Sequence, residues 1–365
     1  MAAEGIDRLV RPELAALGGY TAHKSPDTLG GIPAESIIKL DANENPYGCS
    51  PRVRQALAEY GRWHIYPDAG QYHIRQQLGK YTGVDAGCIV AANGSGELLD
   101  YIMCLFLQPG DEVINCVPTF DMYRFRTLIN RGRLANVSRD EAFGVNVKAV
   151  KAAITPKTKL IILADPNNPV GNVMPRADIL ELVATGVPLV IDEAYYEFYG
   201  ETVAPLVGQY RNLMVLRTCS KWAALAGLRI GYGIFPPQIA ALLMKTKLPY
   251  NVNVAALVAV QATLEDIDYL KKGIKAITAE RKRLFGKLQQ LEWLKPYPSE
   301  ANFIFCSLLR GRAETLHRKM QERGILLRYF AQPRLENGIR ISVGKPEHTD
   351  ALMKALCELE GEIDG

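Results

Sequence analysis

Short apolar strand patterns alternate with helical patterns through the first two thirds of the chain, and this alternation constrains the fold most strongly. Five runs are rich in β-branched or other apolar residues: CIVAA (88–92), EVINC (112–116), KLIILAD (159–165), PLVIDEA (188–194) and LMVLRT (213–218). Several are apolar at consecutive positions, which is typical of strands covered by helices on both faces. The pattern predicts an α/β fold with a mainly parallel central sheet in a three-layer α/β/α sandwich.

The C-terminal third has a different pattern, which indicates a second domain. Residues 266–294 carry apolar residues at helical spacing, and a helix of that length commonly links two parts of a molecule. Beyond it, shorter strand and helix patterns alternate as in a small α+β domain, with strands at 302–307, 325–328 and 339–343 and helices at 311–323 and 347–361. We therefore expect an N-terminal arm at 1–36, a large domain at 37–265 and a small domain at 266–365.

Charge and cysteine content argue against several classes of protein. Of 365 residues, 43 are Lys or Arg and 39 are Asp or Glu, a net charge of +4 without a basic run, so neither nucleic acid nor a membrane surface is expected as a partner. The seven cysteines are odd in number and never spaced as CxxC, which indicates reduced thiols and gives no sign of a metal site. No segment resembles a secretory signal or a membrane span. We expect a soluble cytoplasmic protein.

The segment TCSKWAALAGLRIGYG (218–233) carries residues suited to a phosphorylated carbonyl cofactor. Lys221 offers an amine that can form an imine, while Thr218, Ser220 and Arg229 offer hydroxyls and a guanidinium for a phosphate dianion. A surface lysine beside a buried helix is the simpler alternative.

Two further strand ends carry polar residues of the same kind. Asp192 ends the strand in LVIDEAYYEFYG (189–200), at the sheet edge where α/β folds bind ligands, and a buried carboxylate there could keep a pyridine nitrogen protonated. Tyr195 follows it, and Asn168 lies in the turn of ADPNNPVGNV (164–173), so both could bind the oxygen on such a ring. Alone, Asp192 could equally cap a helix or bind a metal, and Asn168 could belong to an ordinary turn.

A glycine-rich turn precedes a helix in CIVAANGSGELLDYI (88–102). The backbone amides of Ser95 and Gly96 at the helix N-terminus would form a phosphate cradle. The turn also partly matches a dinucleotide-binding fingerprint, which leaves an NAD oxidoreductase open, but Leu99 occupies the third glycine position.

Together these segments resemble the fold-type I aminotransferases that depend on pyridoxal 5′-phosphate (PLP), and among them the histidinol-phosphate aminotransferases. The resemblance covers nearly the whole chain and also includes the motifs DANENPYG (41–48), YPD (66–68), VPTFDMY (117–123), LPYNVN (248–253) and GIRISVG (338–344). The chain departs from the family at two positions, with Val170 in place of a usual Thr and Gly96 in place of a frequent Asp. Neither change removes a side chain that the interpretation needs.

The resemblance implies a role for each candidate residue. Lys221 would carry the cofactor as a Schiff base and move a proton, Asp192 would hold the pyridinium, and Asn168 and Tyr195 would bind the 3′-oxygen. The cofactor ring and phosphate would be held by Phe120, Thr218, Ser220, Arg229 and the amides of Ser95 and Gly96. Tyr66 would reach the phosphate of a neighbouring subunit, which implies a homodimer with shared active sites.

The implied substrates are a small amino donor and a 2-oxo acid. Arg340, helped by Arg328, would receive their anionic ends, and Tyr20 and Asn45 would close over them. The expected reaction converts L-histidinol phosphate and 2-oxoglutarate to imidazole-acetol phosphate and L-glutamate, in histidine biosynthesis. Aromatic amino-acid transamination and threonine-phosphate decarboxylation are the nearest alternatives. A catalytically inactive binding protein with the same fold is a non-enzymatic one.

Overall fold

A computed structural model describes residues 5–19 and 32–362 of the chain. In chain order the strands are β1 (Ile38–Lys39), β2 (Ile89–Ala92), β3 (Glu112–Val117), β4 (Arg133–Ser138), β5 (Thr158–Ala164), β6 (Leu189–Asp192), β7 (Leu213–Thr218), β8 (Gly231–Ile234), β9 (Leu294–Pro296), β10 (Phe303–Leu308), β11 (Ile325–Leu326), β12 (Arg328–Tyr329) and β13 (Gly338–Ser342). The helices are α1 (Pro12–Ala15), α2 (Pro51–Glu59), α3 (Tyr72–Thr82), α4 (Ser95–Phe106), α5 (Met122–Ile129), α6 (Val147–Ala152), α7 (Arg176–Val183), α8 (Tyr196–Tyr199), α9 (Pro237–Thr246), α10 (Val254–Glu265), α11 (Ile267–Leu288), α12 (Ala313–Glu322) and α13 (Pro346–Leu359).

A seven-stranded sheet with the order β2-β8-β7-β6-β5-β3-β4 forms the centre of the molecule. Its two faces are packed by different apolar clusters: Ile161 and Leu163 of β5 belong to one, Leu160 and Ile162 to the other. This alternation along a run of buried apolar residues places helices on both sides of the sheet. The predicted α/β fold with a mainly parallel sheet is confirmed.

One strand of this sheet runs opposite to the others. β8 pairs antiparallel with both β2 and β7, whereas the remaining pairs in the sheet are parallel. The sequence analysis did not predict β8, because two of the four residues in GYGI are glycines and carry no strand signal. It also missed β4, the edge strand RLANVS, whose polar residues obscure the pattern.

The reversed strand brings several chain ends to one edge of the sheet. The parallel strands end there, and β8 begins there, with Thr218 opposite Gly231. A Cβ on Gly231 would lie 2.5 Å from the backbone nitrogen of Ser95, so only glycine lets β8 begin beside the first residue of α4. The carboxyl edge is also where open α/β sheets bind their ligands.

The C-terminal part contains a second, antiparallel sheet with the order β12-β13-β10-β9, packed with α11, α12 and α13. α11 has 22 residues and ends at Leu288, earlier than the predicted end at 294. The apolar spacing continues beyond the helix because Leu288, Leu291 and Leu294 are all buried, the last of them in β9. The predicted helices at 311–323 and 347–361 are observed as α12 and α13, slightly shortened.

The start of the predicted large domain contacts the C-terminal part. β1 pairs in parallel with β11, and Leu40 packs in the same apolar cluster as Ile341 of β13. These contacts cross the boundary drawn at 265, and the division of the chain into three segments stays a prediction. Within the described residues, none of the helices has both the length and the apolar character that crossing a bilayer requires.

Candidate active site

A cavity of about 610 Å³ opens at the carboxyl edge of the central sheet. Most of the site residues predicted from the sequence line it together: Ser95, Gly96, Phe120, Asn168, Asp192, Tyr195, Thr218, Ser220, Lys221, Arg229 and Arg340. They come from the ends of four strands, from the start of α4 and from β13. The fold thus collects side chains that are far apart in sequence into one cavity.

Lys221 lies in the loop that follows β7, and its amine is held inside the protein. Its Nζ donates a hydrogen bond of 2.8 Å to the backbone oxygen of Ala42. Burial and, to a smaller extent, the positive charge of Arg340 lower the pKa of this amine to about 7. A sizeable fraction of the amine is therefore neutral and nucleophilic near neutral pH.

Asp192 is the last residue of β6, and only 4% of it is exposed. Its Oδ2 accepts a hydrogen bond of 2.8 Å from the Tyr123 hydroxyl, and its Oδ1 accepts one of 3.1 Å from the Ala194 amide. Burial raises the pKa of the carboxyl to about 6 although both donors favour the anion. Asp192 is therefore largely ionised at neutral pH and can stabilise a buried cation.

The sequence analysis did not identify Tyr123 as the partner of Asp192. The motif VPTFDMY contains it, but the two residues are 69 positions apart in sequence, so no local signal indicates their contact. Asn43 was missed in the same way. Its Nδ2 donates to the Tyr195 hydroxyl over 2.9 Å, and the motif DANENPYG was the sign that this loop enters the site.

Asn168 connects Tyr195 to Arg340. Its Nδ2 lies 3.4 Å from the Tyr195 hydroxyl, and its Oδ1 accepts a hydrogen bond of 2.5 Å from Nη1 of Arg340. Nη2 of the same guanidinium donates to the backbone oxygen of Asp41 over 2.6 Å. Arg340 is 4% exposed and carries its positive charge from the C-terminal sheet into the cavity.

The opposite end of the cavity is suited to a dianion. The 12-residue helix α4 begins at Ser95, so its first amides and the positive end of its dipole face this region. A Cβ on Gly94, whose φ is +83°, would lie 2.8 Å from Nη2 of Arg229, so the glycine leaves room for the guanidinium. The hydroxyls of Thr218 and Ser220 lie beside each other, 3.0 Å apart.

These features fit PLP. The cradle at Ser95 and Arg229 would take the phosphate, Asp192 the ring nitrogen, and Lys221 the carbonyl carbon. Phe120 lines the cavity and contacts the edge of the Tyr123 ring, with the ring centroids 5.6 Å apart.

The residues predicted to bind substrate do not all line the cavity that holds the predicted cofactor residues. Arg328 lines an adjoining cavity of about 220 Å³, which shares Arg340 and Asn168 with the larger one. Asn45 lines neither cavity, and its expected substrate contact stays a prediction: its Nδ2 donates to the backbone oxygen of Trp222 over 3.0 Å and its Oδ1 accepts from the Tyr47 amide.

Tyr66 also lies outside the larger cavity. Tyr66 is 77% exposed and stacks on Tyr250, with ring centroids 4.5 Å apart. Tyr20 falls outside the described residues.

Residues 35–359 match the family model described as aminotransferase class I and II. The chain belongs to this family. The aminotransferase is 51% identical over 354 residues to the histidinol-phosphate aminotransferase of Dehalococcoides mccartyi (strain CBDB1), covering 97% of this chain and 98% of that protein. It is 41% identical over 356 residues to histidinol-phosphate aminotransferase 1, chloroplastic, of Arabidopsis thaliana, covering 96% and 85% of the two chains.

The solved structures agree with this family. The histidinol-phosphate aminotransferase from Sinorhizobium meliloti, in complex with pyridoxal-5′-phosphate, superposes with a TM-score of 0.86 at 26% identity, covering 96% of this chain and 97% of the other. The predicted resemblance to fold-type I aminotransferases is confirmed, and the NAD oxidoreductase interpretation is wrong.

Proposed function

We propose that this aminotransferase uses PLP to convert L-histidinol phosphate and 2-oxoglutarate to imidazole-acetol phosphate and L-glutamate, a step of histidine biosynthesis. The observation that carries the proposal is the single cavity in which a buried amine, a buried carboxylate and an anion cradle meet. The 51% identity to a histidinol-phosphate aminotransferase over nearly the whole of both chains supports the choice of substrate.

Each cofactor residue has a task that its surroundings support. When bound, PLP supplies an electron sink for the charge left at the substrate Cα after proton removal. Asp192, kept anionic by its two donors, would hold the ring nitrogen in its protonated form. Tyr195 and Asn168 would bind the 3′-oxygen, and Phe120 would stack on the ring.

Lys221 would act both as the attachment point of the cofactor and as the base at the substrate Cα. A base works best when its pKa lies near the working pH, and burial brings the pKa of Lys221 to about 7. The carbonyl of Ala42 fixes the direction of the amine through a hydrogen bond of 2.8 Å.

Arg340 and Arg328 would bind the anionic ends of both substrates. One substrate presents a phosphate and the other a carboxylate, and a guanidinium can pair with either through two parallel hydrogen bonds. Arg340 lines both cavities and Arg328 the smaller one, so the two arginines flank the space between cofactor and solvent.

We also propose a homodimer in which Tyr66 reaches the cofactor phosphate of the partner subunit. Tyr66 is exposed among other large apolar side chains, which is typical of a surface that another chain covers: Trp63, Ile65, Tyr72, Leu248 and Tyr250. We further infer a cytoplasmic location, which is supported by the free thiols of all seven cysteines.

The substrate is tested by incubating the purified protein with PLP, L-histidinol phosphate and 2-oxoglutarate and measuring L-glutamate. We expect efficient glutamate formation, with phenylalanine and tyrosine far poorer donors. Faster turnover of the aromatic amino acids, or release of carbon dioxide from threonine phosphate, would contradict the assignment. Absence of any reaction would favour the inactive binding protein.

The shared active site is tested by mixing Lys221→Ala and Tyr66→Ala subunits. In the mixed dimer, the site with an intact Lys221 faces an intact Tyr66 of the partner and should bind PLP with wild-type affinity. An affinity equal to that of the Tyr66→Ala homodimer would contradict the sharing.

A further inference from the structure

Glu97 is a charged residue beside the anion cradle that does not line the cavity. It is the third residue of α4, and its carboxylate is fully engaged by the protein. Oε2 accepts hydrogen bonds from the Asn93 amide over 2.7 Å and from Nδ2 of Asn251 over 2.8 Å. Oε1 accepts one of 2.9 Å from the hydroxyl of Tyr101.

The bond from Glu97 back to Asn93 closes the turn that presents the cradle amides. A glutamate at this helical position that reaches back to a preceding amide is an established way to fix where a helix begins. The turn contains Gly94 at a φ of +83°, and a glycine has more backbone freedom to lose on ordering than any other residue. With the bond in place, the amides of Ser95 and Gly96 keep their direction before any ligand arrives.

Asn251 extends this clamp to the strand that leads into the turn. Its Oδ1 accepts a hydrogen bond of 3.0 Å from Nε2 of Gln71, a residue that is 4% exposed. Gln71 is bound to Ala91 of β2 through both backbone groups, at 2.8 and 2.9 Å. The turn is therefore held at Ala91 on one side and at Glu97 on the other.

We propose that Glu97, through Asn93 and Asn251, is a positioning residue that preorganises the amides of Ser95 and Gly96 for the cofactor phosphate. The inference rests on the proposed function, since it takes PLP as the ligand. Preorganisation raises affinity because the turn does not have to be ordered during binding.

Two effects of Glu97 on a bound phosphate have opposite signs, and this makes the proposal testable. Its negative charge repels a phosphate dianion, so replacement by glutamine would tighten binding if charge alone mattered. Its hydrogen bonds organise the cradle, and glutamine, which turns one acceptor oxygen into a donor amide, would break part of that set. We expect the loss of organisation to outweigh the relief of charge repulsion, because three hydrogen-bond donors already stabilise the carboxylate charge and so weaken its effect on the phosphate.

The experiment compares the dissociation constants of PLP and of pyridoxal, which lacks the phosphate, for the apoenzyme by quenching of intrinsic fluorescence. For Glu97→Gln and for Asn251→Ala we expect PLP binding to weaken about tenfold while pyridoxal binding changes less than about twofold. Glu181→Gln is the matched control, because Glu181 is an exposed glutamate of α7 paired with Lys151, and it should change neither constant.

Tighter or unchanged PLP binding in Glu97→Gln, or an equal loss for both ligands, would overturn the proposal. If Glu97→Gln does not fold, Asn251→Ala carries the same comparison, because it removes one donor and leaves the charge in place. Failure of the wild-type apoenzyme to bind PLP would instead refute the proposed function. The double variant should lose no more than the stronger single one, since both break the same connection.

Discussion

Tyr123 provides the sharpest test of how Asp192 is kept ionised. Replacing Tyr123 with Phe removes the hydroxyl that donates over 2.8 Å to Oδ2 and leaves the Ala194 amide as the other donor identified at this carboxylate. The ring stays, so the packing against Phe120 and the shape of the cavity should change little. The variant therefore changes mainly the stability of the buried negative charge.

The expected weakening of PLP binding follows from the pKa of the buried Asp192 carboxyl. With a pKa of about 6, Asp192 is mostly ionised at neutral pH. A hydrogen bond to a charged group is worth about 1.5–3 kcal/mol, and about 1.4 kcal/mol corresponds to one pKa unit, so the pKa should rise by about one to two units. At about pH 7 the ionised fraction of Asp192 then falls to roughly one half for a rise of one unit and to roughly one tenth for a rise of two units. PLP binding should weaken about twofold to tenfold accordingly.

The assay is the dissociation constant of PLP for the apoenzyme across pH, measured by fluorescence quenching. The deficit of Tyr123→Phe should nearly vanish at about pH 9, where the carboxylate is ionised in both proteins, and should grow steadily as the pH falls through neutrality. Tyr210→Phe removes a hydroxyl from a tyrosine that does not line the cavity and serves as the control. A deficit that does not vary with pH would refute the reasoning.

Three further outcomes are expected. Capture of PLP by the apoenzyme should accelerate with pH up to about pH 7 and level off above it, because only the neutral amine of Lys221 reacts; a rate that keeps rising steeply above neutrality would contradict the low pKa. Gly231→Ala should weaken PLP binding about tenfold or more, because the added Cβ would lie 2.5 Å from the Ser95 nitrogen and displace the helix start; an unchanged dissociation constant would show that the cradle tolerates the shift. Arg340→Lys should raise KM for both substrates about tenfold or more, since lysine cannot form two parallel hydrogen bonds; steady-state kinetics with a change for one substrate alone would argue against a common anion site.

Much of the fold could be predicted from the sequence, because a strand that is buried on both faces appears as a run of consecutive apolar residues. The strands β5 and β7 each contain a run of at least four consecutive apolar residues, and their bounds were predicted to within a residue or two. The reversed direction of β8 was not predictable in this way, since strand direction depends on pairing with β2 and β7. The end of α11 was misplaced because Leu291 and Leu294 continue the helical spacing after the helix has stopped.

The candidate site shows the same division between local and distant information. Lys221 and Asp192 stand at strand ends with characteristic neighbours, so the sequence indicated them directly. Their partners are set by the tertiary structure: the Ala42 carbonyl reaches Lys221 across 179 positions, and Tyr123 reaches Asp192 across 69. A single sequence carries no record of such pairs. The hydrogen bonds of Asn45 to backbone groups were likewise not predicted, and its substrate role stays a prediction.

The reversed strand β8 has a consequence for how the enzyme could open and close. Because Thr218 and Gly231 lie opposite each other, the loop between them leaves and re-enters the same sheet edge, and it carries both Lys221 and Arg229. The two residues that we propose to hold the coenzyme thus belong to one short segment that is anchored to the sheet at both ends. Arg340, by contrast, extends from the C-terminal sheet and is joined to Asn168 by a hydrogen bond. A rigid rotation of that sheet would let a product leave while the coenzyme stayed in place, so the same coenzyme could serve successive turnovers.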